Sequence, residues 1–342
     1  MDSAEKLPVA VIGVGALGRH HARLMKQVPG VELVAVVDSR AEQAQAIAKD
    51  LGVPALSSAD ELPRAVRAVS VAVPTSLHHA IVCPLLERGV HVLVEKPMAA
   101  TLEEGRAMAR LAADHGVVLQ VGHVERFNPA LGALEQLHIV PRFIQAERLA
   151  PFTYRALDVS VVMDLMIHDI DIVMDLAGAP LEDVRAVGSA VLGRNVDIAS
   201  ARLEFANGCV AMLTASRVSF EPSRKTRIFG ADTYVSLDFN ERRAFMVRKA
   251  PGFELASLSP ADAARFSPKA SFKEFIAQGL LDTRTIDMDE ANPLLLELTA
   301  FTQAVRGGRA TSGPRVASAE EGLRAMEVAT RVSEQIAGHR WH

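Results

Sequence analysis

The chain has 342 residues, 41 acidic against 37 basic side chains, a formal net charge of -4, and 49% hydrophobic and 23% charged residues. That length exceeds one ordinary core and suits two domains, and the composition is that of a globular protein, not a disordered or fibrous one. No run of like charge marks a nucleic-acid or anionic-membrane partner, and Cys83 and Cys209 are too isolated for a disulfide framework or a structural zinc site.

The polar start, Met1 to Pro8, lacks the regions of a signal peptide. The most apolar stretch, Val159 to Ala177, is broken by Asp164, His168, Asp169, Asp171 and Asp175, which excludes a bilayer span. The expected compartment is the reducing cytoplasm.

From Val9 to about Gly122, short apolar runs alternate with segments of helical period, the pattern of parallel strands joined by crossover helices. Strands are predicted at Val9–Gly13, Glu32–Val37, Ala68–Val73, His91–Val94 and Val117–Val121, and helices at Gly18–Lys26, Ala41–Leu51, Ser76–Arg88 and Leu102–His115. This is a doubly wound α/β domain over residues 1–122, of Rossmann type. Pro74 and Pro97 each follow a strand, so their two turns should lie together at the carboxyl edge, where open α/β sheets bind ligands.

After Gly122 the rhythm changes. A helix is predicted at Asn128–Leu137, a strand at Phe143–Leu149 and a long helix from about Val161 to Leu176. Strands Ala199–Phe205, Cys209–Ser216, Thr226–Gly230, Tyr234–Phe239 and Arg243–Lys249 follow with brief turns such as Asn207-Gly208, which implies an antiparallel sheet. Helices at Leu294–Arg306 and Ala317–Ile336 close the chain, after a polar loop from Ala250 to Ala270. Residues 123–342 form the second α/β domain of this reading.

The strand, turn and helix around Gly13-Val14-Gly15-Ala16-Leu17-Gly18 make a dinucleotide fingerprint, because an acid, Asp38, follows twenty residues after Gly18. Gly13 permits the tight turn, Gly15 admits the pyrophosphate, and Gly18 lets helix and strand pack closely while the helix N-terminus faces the phosphates. Asp38 can accept hydrogen bonds from the adenosine ribose and repel a 2'-phosphate, which favours NAD. Ser39 and Arg40 beside it keep NADP open as the alternative.

Lys96, in Glu95-Lys96-Pro97, stands at the end of the fourth strand, either as a surface charge or as an amine able to exchange a proton with a substrate hydroxyl. Asp164 and His168 are four apart, so on one helix face the carboxylate can orient the imidazole. Removing hydride from an alcohol needs a base for the hydroxyl proton, and histidine suits it. The alternatives are a structural buried pair, or a metal held by Asp164, His168 and Asp171. No second histidine ligand supports the metal, and hydride transfer to nicotinamide needs none. His78, in Pro74-Thr75-Ser76-Leu77-His78, is either a cofactor contact or a packing residue at a helix start.

GVGALG, VPTSLH after the third strand, VEKP after the fourth and MDLMIHDID in the second domain together resemble the Gfo/Idh/MocA oxidoreductases. The resemblance implies a Rossmann domain plus an α/β domain on a large open sheet, with homodimer or homotetramer contacts on its exposed face. It implies Lys96 as catalytic lysine, His168 as acid/base, Asp164 as its partner, and Thr75, His78 and Glu95 as cofactor contacts. The segment Val121 to Ala130, VGHVERFNPA, resembles the branch acting on UDP-sugars, the UDP-N-acetylglucosamine 3-dehydrogenases. That implies a 3-keto product for a pyridoxal-phosphate aminotransferase, with Arg126 and Asn128 seating the sugar nucleotide and Arg155, Arg217 and Arg224 near its pyrophosphate. The competing expectations are a polyol or free-sugar dehydrogenase like the inositol dehydrogenases, and a dinucleotide-sensing regulator without catalysis.

Overall fold

A computed structural model describes residues 6–135, 137, 139–153, 159–253, 272–277, 279–287, 291–307 and 315–339. Arg155 and most of the expected polar loop, from residue 254 onward, lie outside the described residues. The chain forms two compact units that are not contiguous in sequence: Met1–Asn128 with Val162–Ile172 and Glu290–Glu334, and Pro129–Val161 with Val173–Asp289 and Gln335–His342. The sequence places one boundary after Gly122, whereas residues 162–172 and 290–334 cluster with the first unit. For the helix Pro293–Val305 the reason is apolar burial, since Leu298 and Phe301 share a core cluster with Ala22 and Met25.

The first unit is built on strands β1 (Leu7–Ile12), β2 (Val31–Val37), β3 (Ala55–Leu56), β4 (Ala68–Val71), β5 (His91–Glu95) and β6 (Leu119–Gly122). Their spatial order is β6-β5-β4-β1-β2-β3, all parallel, with the short strand Ala317–Ser318 added antiparallel to β6. The order reverses between β1 and β4, which opens a crevice at their carboxyl ends. Val9, Ala10 and Val11 of β1 and Val92, Leu93 and Val94 of β5 are wholly buried, as strands covered on both faces must be. Helices α1 (Gly18–Met25), α2 (Ala41–Leu51), α3 (His78–Glu87) and α4 (Leu102–Asp114) supply the crossovers. At α4, Thr101 Oγ1 accepts from the Glu104 amide and the Glu104 carboxylate accepts from the Thr101 amide, a reciprocal cap that sets where the chain turns back after β5.

The second unit is an eight-stranded sheet: β7 (Phe143–Leu149), β8 (Leu181–Ser189), β9 (Ile198–Phe205), β10 (Val210–Ser216), β11 (Ser223–Phe229), β12 (Thr233–Asp238), β13 (Arg243–Lys249) and β14 (Leu281–Asp287). Its order is β14-β13-β12-β11-β7-β10-β9-β8, antiparallel throughout except for the parallel pair β7 and β10. Alternate residues, such as Ala201, Leu203 and Phe205 of β9 and Ala211, Leu213 and Ala215 of β10, are buried on one face. Ile198 of β9, Met212 of β10 and Val187 of the neighbouring β8 stand among the exposed apolar residues. Strands β8 and β14 are additional to those read from the sequence. Both are edge strands in which charged residues interrupt the apolar run, as edges exposed to water tend to be.

The long helix expected from Val161 to Leu176 begins as a π-helical turn, Val162–Met166, and continues as an α-helix, Ile167–Ala177. No helix among the described residues is long and apolar enough to cross a membrane.

Candidate active site

The glycine turn lies at the sheet's crossover point. Gly13 has φ +81°, and a side chain there would meet Val73 Cγ1 at 2.6 Å and the Ala72 carbonyl at 2.7 Å, so the turn after β1 and the segment after β4 touch through backbone. A side chain on Gly18 would collide with the Gly13 carbonyl, which is how the first turn of α1 comes to pack directly on the end of β1. No side-chain hydrogen bond caps α1; the Arg19 and His20 amides turn back onto the Gly15 and Leu17 carbonyls, and the positive end of the helix dipole is the end an anion would meet.

Asp38 is buried at the end of β2. Its Oδ2 accepts from the Val14 amide at 3.0 Å and its Oδ1 from the Arg40 amide at 3.0 Å, with Arg40 Nε at 3.4 Å. A carboxylate oxygen can accept more than one bond, which leaves capacity for ribose hydroxyls. A cleft of about 810 Å³ runs from Asp38, Ser39 and Arg40, past Gly13, Gly15, Ala16, Leu17 and Pro74, to Glu95 and Lys96. Its size and glycine floor fit a dinucleotide.

Thr75 and His78 do not line that cleft. His78 is buried, with Nδ1 3.0 Å from the Pro97 carbonyl and 3.2 Å from that of Met98, and Nε2 3.0 Å from the Val73 carbonyl. It therefore clamps the Pro74 and Pro97 turns together, the adjacency the prolines predict. Burial pushes its pKa down, and the three carbonyls with the Glu95 charge only partly restore it.

At the far end of the cleft, Lys96 Nζ donates to the Asp164 carbonyl at 2.6 Å and lies 3.3 Å from Asp164 Oδ1. Asp164 was expected to orient His168 across one α-helical turn. Its residues instead lie in the π-helical turn, which widens the spacing, and its carboxylate is presented to the lysine. His168 follows in the first turn of the α-helix, its ring edge-on to that of His123, with centroids 6.2 Å apart. His123 is buried, and burial lowers its pKa, with Asp171 opposing and Arg126 and Lys96 adding to the effect. Lys96, Asp164 and His168 are thus gathered in one unit from segments 68 residues apart in sequence.

Arg126 does not stand free to seat a sugar nucleotide. Its Nε and Nη2 bond Asp171 at 2.7 and 2.6 Å, and Nη1 lies 3.4 Å from Glu321. Arg315 holds Glu321 in turn through two bonds of 2.5 Å, and the Ser318 amide adds a third at 2.9 Å. Burial opposes the Glu321 charge, but these donors and the Arg126 charge bring its pKa down to about 2. Asn128 Nδ2 lies 3.5 Å from Glu125 Oε2 at the end of the same short 3-10 turn, Val124–Phe127.

In the second unit Arg217 is also committed. It is buried, its Nε donates to Asp197 at 2.7 Å and its Nη1 to the Val159 carbonyl at 2.7 Å. Burial works against the Asp197 charge, yet the Leu192 and Val191 amides and Arg217 outweigh it and hold the carboxyl below its usual range. Arg217 therefore ties the Asp197 loop to the Val159 carbonyl. Arg224 is exposed on β11.

The sequence did not disclose Asp171 as the anchor of Arg126. Nor did it disclose the buried contact between His21 Nε2 and Glu95 Oε1, 3.1 Å apart but off the line of a hydrogen bond, with His21 Nδ1 2.8 Å from Ser70 Oγ. Gly122 makes room for Glu95, since a side chain there would meet Oε1 at 2.8 Å. Only the EKP tripeptide and the adjacent His20-His21 pair hinted at these partners.

Comparison with known proteins agrees with this geometry. Residues 7–123 match the oxidoreductase family with an NAD-binding Rossmann fold, and residues 129–236 match the GFO/IDH/MocA C-terminal domain. The chain is 44% identical over 243 residues to a UDP-N-acetylglucosamine 3-dehydrogenase of Acidithiobacillus ferrooxidans, covering 71% of this chain and 77% of that one. It is 31% identical over 230 residues to the scyllo-inositol 2-dehydrogenase (NAD(+)) of Bacillus subtilis, covering 61% and 67%. A solved structure of the Acidithiobacillus enzyme superposes with a TM-score of 0.83 over 97% of this chain and 98% of that one, at 35% identity. A levoglucosan dehydrogenase, at 20% identity and a TM-score of 0.77, shares the fold. With both domains matched in order, the chain belongs to the Gfo/Idh/MocA oxidoreductase family and is an NAD(P)-dependent dehydrogenase acting on a CH-OH group.

Proposed function

We propose that the chain oxidises the C3 hydroxyl of UDP-N-acetylglucosamine to the 3-keto sugar nucleotide, with NAD as the oxidant. The observation that carries the reading is Lys96, held by Asp164 at the end of a dinucleotide-sized cleft, with His168 on the segment that follows. The 44% identity to a UDP-N-acetylglucosamine 3-dehydrogenase supports the substrate. Asp38, buried and braced by two backbone amides, favours a free ribose over a 2'-phosphate and so supports NAD over NADP.

In this reading the adenosine ribose meets Asp38, the pyrophosphate the Gly13 to Gly18 turn, and the nicotinamide end lies toward Glu95 and Lys96. The bound cofactor supplies the hydride acceptor. His168 takes the hydroxyl proton as the C–H bond breaks, and Lys96 donates a hydrogen bond to the oxygen as it becomes a carbonyl. Asp164 fixes the lysine amine, so its role is to position Lys96. A 3-keto sugar is the class of product that a pyridoxal-phosphate aminotransferase consumes.

The second reading, a cyclic polyol substrate, is favoured by the 31% identity to scyllo-inositol 2-dehydrogenase. Purified protein with NAD and a panel of UDP-sugars and inositols, read as NADH absorbance with aminotransferase and glutamate drawing off the ketone, decides between them. NADH formed with UDP-N-acetylglucosamine alone supports the first, and NADH formed with inositols alone replaces it. The apolar residues on the open face of the second unit's sheet, Val187, Ile198 and Met212 among them, support a homodimer or homotetramer, which light scattering tests.

A further inference from the structure

Within electrostatic reach of Glu95 lies a buried acid that the hydride chemistry does not use. Glu297, on the Pro293–Val305 helix, is wholly buried, and neither carboxylate oxygen has a hydrogen-bond partner among the described residues. A carboxylate in that state is unfavourable, whereas a neutral acid tolerates it. The charges acting on Glu297 are Glu95, Arg126 and Asp171. Arg126, from the 3-10 turn packed on the same helix, is already bound by Asp171 and Glu321. Helix α1, also packed there, brings buried His21, which is engaged with Ser70 and Glu95, while its Arg19, His20 and Arg23 are exposed. Glu125, on the 3-10 turn, lies against Asn128. Burial first, and then the Glu95 and Asp171 charges, push the Glu297 carboxyl well above its usual range, with Arg126 opposing.

Glu95 lines the cofactor cleft next to Lys96. We infer that Glu297, enclosed without a hydrogen-bond partner among the described residues, is a neutral acid that answers the charge of the cofactor: it gives up its proton more readily when the positively charged oxidised nicotinamide lies at the Lys96 end of the cleft than when the neutral reduced ring does. The inference rests on the proposed placement of the nicotinamide end at Lys96, and is independent of which sugar is oxidised. Oxidised cofactor then favours ionised Glu297, and reduced cofactor the protonated acid.

The test is calorimetric titration of the protein with NAD and with NADH, without sugar, in two buffers of different ionisation enthalpy across pH 6 to 8 (about one unit either side of neutrality). In the wild type, NADH should bind with more proton uptake than NAD, and the ratio of the NAD to the NADH dissociation constant should rise as pH falls, by up to about tenfold per unit. In Glu297→Gln, which is isosteric with the neutral acid, that difference should vanish. Infrared spectra of the cofactor-free protein should show a protonated carboxyl band that the variant lacks. An absent band removes the neutral acid itself, whatever the position of the nicotinamide. A present band with equal proton uptake for both cofactor forms in the wild type, or the same difference in Glu297→Gln, overturns the coupling. If the variant does not fold, the wild-type calorimetry and spectrum still decide the matter.

Discussion

Replacing Arg126 by Met separates two roles that its position suggests, anchoring the core of the first unit or holding substrate. Arg126 is bidentate to Asp171, whose side chain is only 3% exposed, and both bonds are short, at 2.7 and 2.6 Å. Hydrogen bonds to charged groups contribute roughly 1.5–3 kcal/mol each, and breaking a buried pair by removing one partner costs about 3–5 kcal/mol because the other charge is left stranded. Against a typical total stability of about 5–15 kcal/mol, the variant should lose a large fraction of it. Urea unfolding followed by circular dichroism measures the loss, and steady-state kinetics measures KM for the sugar nucleotide. Asp171→Asn should lose a similar amount, while the double variant, Arg126→Met with Asp171→Asn, should lose well under the sum, because neither charge is then stranded. A change in stability below about 1 kcal/mol in Arg126→Met, together with a large rise in KM, would refute the anchoring argument and return Arg126 to the substrate site.

Lys96→Met and His168→Asn should each lower turnover by about 10²–10⁴ while fluorescence titration shows cofactor binding kept, and unchanged turnover in both would dismiss the proposed chemistry. Asp38→Ala should weaken NAD and raise the NADP-to-NAD preference by about tenfold or more, read from kcat/KM with each cofactor; an unaltered preference would show that the acid does not meet the ribose. Glu321 has a depressed carboxyl pKa, about 2 against 4.5, so it contributes stability above pH 4.5 that is lost as pH falls from 4.5 toward 2. That contribution is roughly 1–3 kcal/mol at neutral pH, and acid denaturation of Glu321→Gln should show a shallower pH dependence than the wild type over that window. Superimposable acid profiles would mean that the Arg315 and Arg126 contacts contribute nothing measurable.

The Rossmann unit was legible in sequence because its determinants are local. Apolar runs bounded by glycines specify strands covered on both faces, and the spacing of Gly13, Gly15, Gly18 and Asp38 follows from one turn, one helix start and the end of the next strand. The alternating pattern of β9 to β13 was legible for the same reason, while charged edge strands β8 and β14, and the two-residue strand β3, offered too little pattern to be seen. The residue types at the site, a strand-end lysine and an Asp/His pair, were also present in the sequence.

Their partners were decided by tertiary structure. The spacing of Asp164 and His168 reads as one α-helical face, but the backbone there takes a π-helical turn, and the carboxylate meets a lysine 68 residues earlier. Arg126, Arg217 and His78 carry polar groups that could equally serve a ligand or the core. Each is held by a partner distant in sequence, Asp171, Asp197 and the Pro97 carbonyl respectively. The physical reason is that a buried polar side chain must be satisfied by whatever the fold brings beside it, and that neighbour depends on how the helices and strands pack, which no local spacing encodes. Glu297 is the extreme case: an acid in an apolar helical run that only the packed core reveals as wholly enclosed and, among the described residues, without a hydrogen-bond partner.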